Sequence, residues 1–146
     1  MNHNSEFLKL VDDAKTRIQE VSAEQVAAAL LETANTGPTN FDPIRMQEPV
    51  GEQPMMPLIV DVREESEYAR GHIPGAVHLS KGVIECYIES KIPDKATPMV
   101  LYCGGGYRSA LAADSLQKMG YGNVLSMAGG WRGWNERGFP VSHDQQ

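Results

Sequence analysis

Short apolar runs alternate along this chain with stretches of helical spacing, and that alternation sets the expected fold. Phe7, Leu10, Val11, Ala14 and Ile18 recur at helical spacing between Asp12, Asp13, Lys15 and Arg17, which predicts an amphipathic helix over 5–17 with Ser5 as N-cap. Ile18 to Val21 reads as a short strand. Ser22-Ala23-Glu24-Gln25 is a capping-box pattern opening an alanine- and leucine-rich helix to about Ala34. Between Asn35 and Pro57 the periodicity stops. Five prolines and two glycines punctuate that segment, which predicts a long surface loop, with Met46, Met55 and Met56 as gap-fillers or pocket lining.

Leu58 to Val62 is the next apolar run, followed by an acidic helical stretch from Arg63 to Ala69. Turn residues fill Gly71 to Ala76, and Val77 to Leu79 is a brief strand. A helix is expected from about Lys81 to Ser90, a loop over Ile92 to Lys95 and a buried strand over Met99 to Tyr102. A helix follows over Ala110 to Met119, with Gly120 as its C′ glycine, then a strand over Val124 to Met127. A final helical stretch starts at Gly129-Gly130-Trp131 and is stopped by Gly138-Phe139-Pro140. Strands alternating with helices imply parallel pairing, right-handed crossovers and helices on both faces of one sheet.

Composition narrows the function classes. With 146 residues the chain is long enough for one domain with a real core. A net charge of −6 argues against general nucleic-acid binding. No apolar run approaches the roughly 18 residues of a membrane span. Met1 to Glu6 lacks the basic flank and apolar core of a signal peptide. The two cysteines, Cys86 and Cys103, are fewer than a small disulfide scaffold uses, so free thiols in a cytoplasmic, reducing setting are expected. The four histidines and two cysteines have no metal-ligand spacing, so neither a metal nor another cofactor is expected.

The candidate chemistry lies in Cys103-Gly104-Gly105-Gly106-Tyr107-Arg108-Ser109. A buried strand delivers Cys103 into a loop of glycines, whose backbone N–H groups can turn inward as an anion-binding nest. The next helix aims its positive N-terminal end at the same place, and Arg108 adds a fixed charge. All three favour the nucleophilic thiolate. The competing reading, an inert buried cysteine, loses weight because of the glycines and the arginine. The loop lacks the Gly-Lys-Ser/Thr ending of a P-loop and the spacing of a dinucleotide fingerprint.

Three segments together resemble the single-domain rhodaneses, a sulfurtransferase family. Ile59 to Glu64 with Glu67-Tyr68 and Gly71-His72-Ile73-Pro74-Gly75-Ala76 looks like the first family signature. Cys103 through Arg108-Ser109 looks like the active-site loop, and Gly129-Gly130-Trp131, Trp134, Gly138 and Pro140 like the C-terminal signature. The resemblance implies a five-stranded parallel sheet flanked by helices. It places the rhodanese-like domain at 18–141, with a helical extension at 1–17, a proline-rich insert at 35–57 and a tail at 142–146. It makes Cys103 the sulfur acceptor and the amides of Gly104 to Ser109 the cradle of its persulfide. Implied partners are a small sulfur donor and a thiol acceptor. Gly104 stands where many thiosulfate-using members carry a basic residue, which leaves the donor open among thiosulfate, mercaptopyruvate and a persulfide. Four residues separate Cys103 from Arg108. Cysteine phosphatases, rhodanese-like ones included, place five there and make a wider ring, so sulfur transfer is expected ahead of phosphatase or arsenate-reductase chemistry.

Other residues have double readings. Asp61 either orients the loop or an arginine, Arg63 included, or caps the following helix. Trp131 is core or a pocket wall. His72 is expected to stabilise its turn, Cys86 to be passive, and Glu64, Glu65 and Glu67 to form a solvated face. A second hypothesis makes the chain a sulfur-relay or redox-sensing module that serves a protein partner, docking through 35–57.

Overall fold

The computed structural model describes residues 4–36 and 57–143, and the side chains of 31–36 are left out of that description. The expectations for the proline-rich insert and its methionines therefore lie outside the described residues. The elements are α1 (Ser5–Lys15), β1 (Gln19–Val21), α2 (Ala23–Thr36), β2 (Leu58–Asp61), α3 (Glu65–Arg70), β3 (Val77–His78), α4 (Ile84–Lys91), β4 (Met99–Tyr102), α5 (Tyr107–Lys118), β5 (Val124–Met127) and α6 (Gly130–Glu136). All pairings are parallel, in the order β1-β5-β4-β2-β3.

The central strand β4 is buried along its whole length, because a parallel sheet covered on both faces leaves no polar side. Its alternation sorts the core. Met99, Leu101 and Cys103 join Val11 of α1, Ile84 and Ile88 of α4 and Ala110 and Leu116 of α5. Val100 and Tyr102 join Val26 of α2, Ile73 and Trp134 of α6 on the other face. Side-chain parity along β4 thus sends Cys103 to the α5 side. In the sheet order β5 lies on one side of the β4–β2 pair and β3 on the other, so the connections after β4 and after β2 run outward in opposite directions. The two strands are neighbours, so a crevice opens beyond their carboxyl ends, where such sheets hold their sites.

Several boundaries differ from the sequence expectation, each for a local reason. Asn4, not Ser5, is the N-cap of α1, and no side chain caps it. Leu10, expected on the apolar face of α1, is 59% exposed, while Val11 and Ala14 are buried. The Ser22 capping box forms, with Gln25 N–H donating to Ser22 Oγ at 3.0 Å and Ser22 N–H to Gln25 Oε1 at 3.0 Å. Helix α3 starts at Glu65 rather than Arg63, because Glu64 and Glu67 make a capping box there. Residues 81–83 form a turn before α4. Helix α5 begins three residues earlier than expected, at Tyr107 rather than Ala110, which puts Arg108 and Ser109 in its first turn. It ends in a Schellman motif, Tyr121 N–H donating to Leu116 O and Gly120 N–H to Gln117 O, with Gly120 at φ +104°.

Helix α1 lies along α5 and is clamped there by charge. Arg17 grips the Asp114 carboxylate with Nε and Nη2, both at 2.9 Å, and reaches Asp13 at 2.8 Å. The Arg17 guanidinium holds both carboxyls below their usual range.

Candidate active site

The site is assembled from the carboxyl ends of β2 and β4, the first turn of α5 and the start of α6. Cys103 is 1% exposed and is among the residues that line a pocket of about 710 Å³. Two backbone N–H groups donate to the sulfur, Gly106 at 3.2 Å and Ser109 at 3.3 Å. Both belong to the start of α5, so the helix contributes its positive end together with those bonds. The thiol lies 3.6 Å from Ser109 Oγ, which is 2.8 Å from Ser126 Oγ on β5. Ser109 and Ser126 are both fully buried. Hydroxyl protons rotate, so this pair of serines accepts a hydrogen bond from a thiol or donates one toward a negatively charged sulfur.

The glycines have separate duties. Of the three after Cys103, only Gly106 has positive φ, +98°, a conformation that favours glycine. A Cβ on Gly106 would also sit 3.2 Å from Gly129 N. The loop is turned from behind by α6. Trp131 N–H donates to Cys103 O at 2.7 Å and Arg132 N–H to Gly104 O at 3.0 Å. In a trans peptide the C=O and the following N–H point opposite ways, so the amides of Gly104 and Gly105 face away from α6. Neither amide has a hydrogen-bond partner among the described residues. Gly130 makes the approach possible. A Cβ there would lie 2.5 Å from Cys103 O and 2.8 Å from Gly104 C and O.

Arg108 is not a lone cation. It forms a two-pronged pair with Glu67 of α3, Nη1 to Oε1 at 3.1 Å and Nη2 to Oε2 at 3.3 Å. Burial pushes the Glu67 carboxyl up, but the Arg108 hydrogen bonds, the Glu64 backbone N–H and the charges of Arg108 and Arg63 together hold it below the usual carboxylate range. Glu67 was expected on a solvated face and is instead part of the pocket lining. Its local signals, a place in the first family signature and a spacing of three from Glu64, report a family and a helix cap rather than a site residue.

Behind the pocket lies a buried ionic network. Asp61, fully buried, accepts from Arg63 Nη2 at 2.7 Å, Arg63 Nε at 3.0 Å and Tyr102 OH at 2.7 Å. Asp61 therefore orients the arginine, while the cap position of α3 falls to Glu64. Burial and the Asp61 carboxylate push the Tyr102 phenol well up, so it stays protonated and donates. The Arg63 guanidinium lies 4.6 Å from the centre of the Trp131 ring, and Trp131 lines the pocket. His72 stabilises its turn, stacking on Tyr68 at 3.8 Å and bridging Ser142 through the backbone. Cys86 is exposed on α4, and both cysteines are free thiols. Among the described residues no group of three His, Cys, Asp or Glu is placed to hold a metal, and no helix is long and apolar enough to cross a membrane.

Known proteins similar to this chain bear on its family. A sulfurtransferase of Allochromatium vinosum is 40% identical over 84 residues, covering 58% of this chain and 77% of that protein. The thiosulfate sulfurtransferase GlpE of Coxiella burnetii is 36% identical over 77 residues, covering 53% of this chain and 70% of GlpE. A structure from Rhodopseudomonas palustris, described as of unknown function and possibly a tyrosine phosphatase, superposes with TM-score 0.71 over 97% of this chain and 98% of its own. Its 24% identity speaks for the shared fold alone. Residues 43–137 match the rhodanese-like domain, a span that holds the Cys103 loop, the Asp61–Arg63 pair and the glycines of α6. With a five-stranded parallel sheet around that loop, the chain belongs to the rhodanese-like domain family.

Proposed function

We propose that the protein is a sulfurtransferase that carries sulfur on Cys103 as a persulfide. In the first half-reaction the Cys103 thiolate attacks the sulfane sulfur of a donor. An Sγ–S bond forms, the donor's S–S bond breaks, and its electron pair leaves with the remainder, sulfite in the case of thiosulfate. In the second, a thiol or cyanide attacks the outer sulfur and Cys103 returns as thiolate. The observation that carries this reading is the pair of N–H donors at 3.2 and 3.3 Å from Sγ, in a ring whose next residues, Gly104 and Gly105, line the same pocket and have amides without a partner among the described residues. Four residues between Cys103 and Arg108, with Arg108 tied to Glu67, favour a single sulfur over a phosphoryl group.

The test is intact mass after incubation with thiosulfate, mercaptopyruvate or a small persulfide. Wild type is expected to gain one sulfur atom, about 32 mass units, on Cys103, and Cys103→Ser none. A gain that maps to Cys86 overturns the assignment. A milder effect is expected at Ser126→Ala, which removes the partner that orients the Ser109 hydroxyl toward the sulfur. One ordinary hydrogen bond corresponds to roughly a 2- to 10-fold slower first half-reaction, read by single-turnover mass spectrometry. An unchanged rate would limit Ser126 to packing.

A further inference from the structure

We infer that the pocket over Cys103 selects organic sulfur donors of low charge, with an apolar group beside the reacting sulfur, over small inorganic dianions; the inference rests on the sulfurtransferase reading and names its donor class. Three observations carry it. First, the volume of about 710 Å³ falls in the range of organic-ligand sites, about 300–1,000 Å³, and far exceeds a five-atom anion. Second, the charge at the mouth cancels. Arg108 is engaged by Glu67, and the remaining lining cation, Arg132, shares the pocket with Glu136. A dianion entering there meets a carboxylate for each guanidinium and must compete with Glu67 for Arg108. Third, the rim is aromatic. Phe7, Tyr107 and Trp131 all line it, and Phe7 meets Tyr107 edge-on with ring centres 6.3 Å apart.

Phe7 is the specificity-determining residue in this arrangement. It stands on α1, outside the residues that match the family, and reaches the pocket because Arg17 clamps α1 onto α5 through Asp114. The Lys15 ammonium, 5.5 Å from the Tyr107 ring centre, ties the same helix to the rim. The N-terminal helix therefore adds a wall that the matched domain does not itself contain. An apolar donor group packed on Phe7, Tyr107 or Trp131 loses water in the same pocket that Cys103 lines.

The experiment compares thiosulfate with benzenethiosulfonate, in which a phenyl group replaces one charged oxygen. Both react alike. The Cys103 thiolate takes the outer sulfur, the S–S bond breaks, and the electron pair leaves with sulfite or with benzenesulfinate. Intrinsic donor reactivity cancels when the ratio of the two kcat/KM values is compared between variants. Phe7→Ala is expected to lower the benzenethiosulfonate-to-thiosulfate ratio about 2- to 10-fold, the range of an aromatic contact, and Phe7→Leu to lower it less. Glu67→Gln, which frees Arg108, is expected to lower the same ratio about tenfold by raising thiosulfate use. Ratios that stay at the wild-type value in Phe7→Ala and Glu67→Gln overturn the inference while sulfur still appears on Cys103. Failure of both donors to place sulfur on Cys103 of wild type overturns the sulfurtransferase reading and the donor class with it.

Discussion

Gly130→Ala is expected to slow persulfide formation at least a hundredfold while leaving every residue of the Cys103 loop unchanged. The added Cβ would start 2.5 Å from Cys103 O, a distance no pair of such atoms tolerates, and the nearby atoms are backbone that cannot swing aside. Gly130 also holds φ +52°, which costs a residue with a side chain about 1–3 kcal/mol. The chain can relieve the clash only by moving α6 and the loop apart. That breaks the bonds from Trp131 and Arg132 to the carbonyls of Cys103 and Gly104, and these bonds fix how the loop peptides face. Once those peptides turn, the donors at the sulfur lose their aim. Losing one well-aimed donor at a reacting anion is worth about 10²–10³ in rate. The strain alone corresponds to a melting-temperature drop of roughly 3–10 °C. Single-turnover mass spectrometry and a thermal melt measure the two effects. A near-normal rate in a folded variant would show that α6 does not set the loop.

The second large effect concerns the network under the pocket. Asp61→Ala is expected to destabilise the protein by about 3–5 kcal/mol, because it strands a buried guanidinium. Arg63 is 3% exposed, and Asp61 supplies its carboxylate. The cost should appear as a drop in melting temperature of about 10–15 °C. Removing both charges should cost less than removing one, since a buried pair contributes little net stability against apolar groups of similar volume. Asp61→Leu combined with Arg63→Met is therefore expected to recover at least half of the lost stability. The double variant should still lose sulfur transfer, as Trp131 gives up the guanidinium that packs on its ring. Equal melting temperatures for Asp61→Ala and wild type would mean that Arg63 finds water or another partner.

Much of this protein was legible in one dimension. The strand runs and the glycine stops are local, so all five strands and the loop after Met99–Tyr102 could be placed from spacing alone. The family signatures are local too, being short strings around turns. Alternation along a strand is equally sequential, and it was enough to send Cys103 to one face and Tyr102 to the other. Helix starts were less legible. A cap depends on which side chain wins the free N–H groups, and Glu64 took that position in α3 while Arg63 turned to Asp61.

What tertiary structure alone decided is how those pieces meet. Glu67 and Arg108 are 41 positions apart, as are Asp61 and Tyr102, and no periodicity relates them. Ser126 looked like an ordinary strand serine until β5 paired beside β4 and brought it to Ser109. The N-terminal helix gave no sign of its purpose, since a surface stripe does not state its partner. The burial of Val11 and the Arg17–Asp114 clamp, across 97 positions, hold the helix on the core and carry Phe7 to the pocket. That a cysteine stands in a glycine loop at a strand end was readable from the residues in order, because propensity and turn chemistry act between neighbours. The charge and shape around that sulfur were settled by packing, because Coulomb forces and excluded volume act through space between residues the chain keeps far apart.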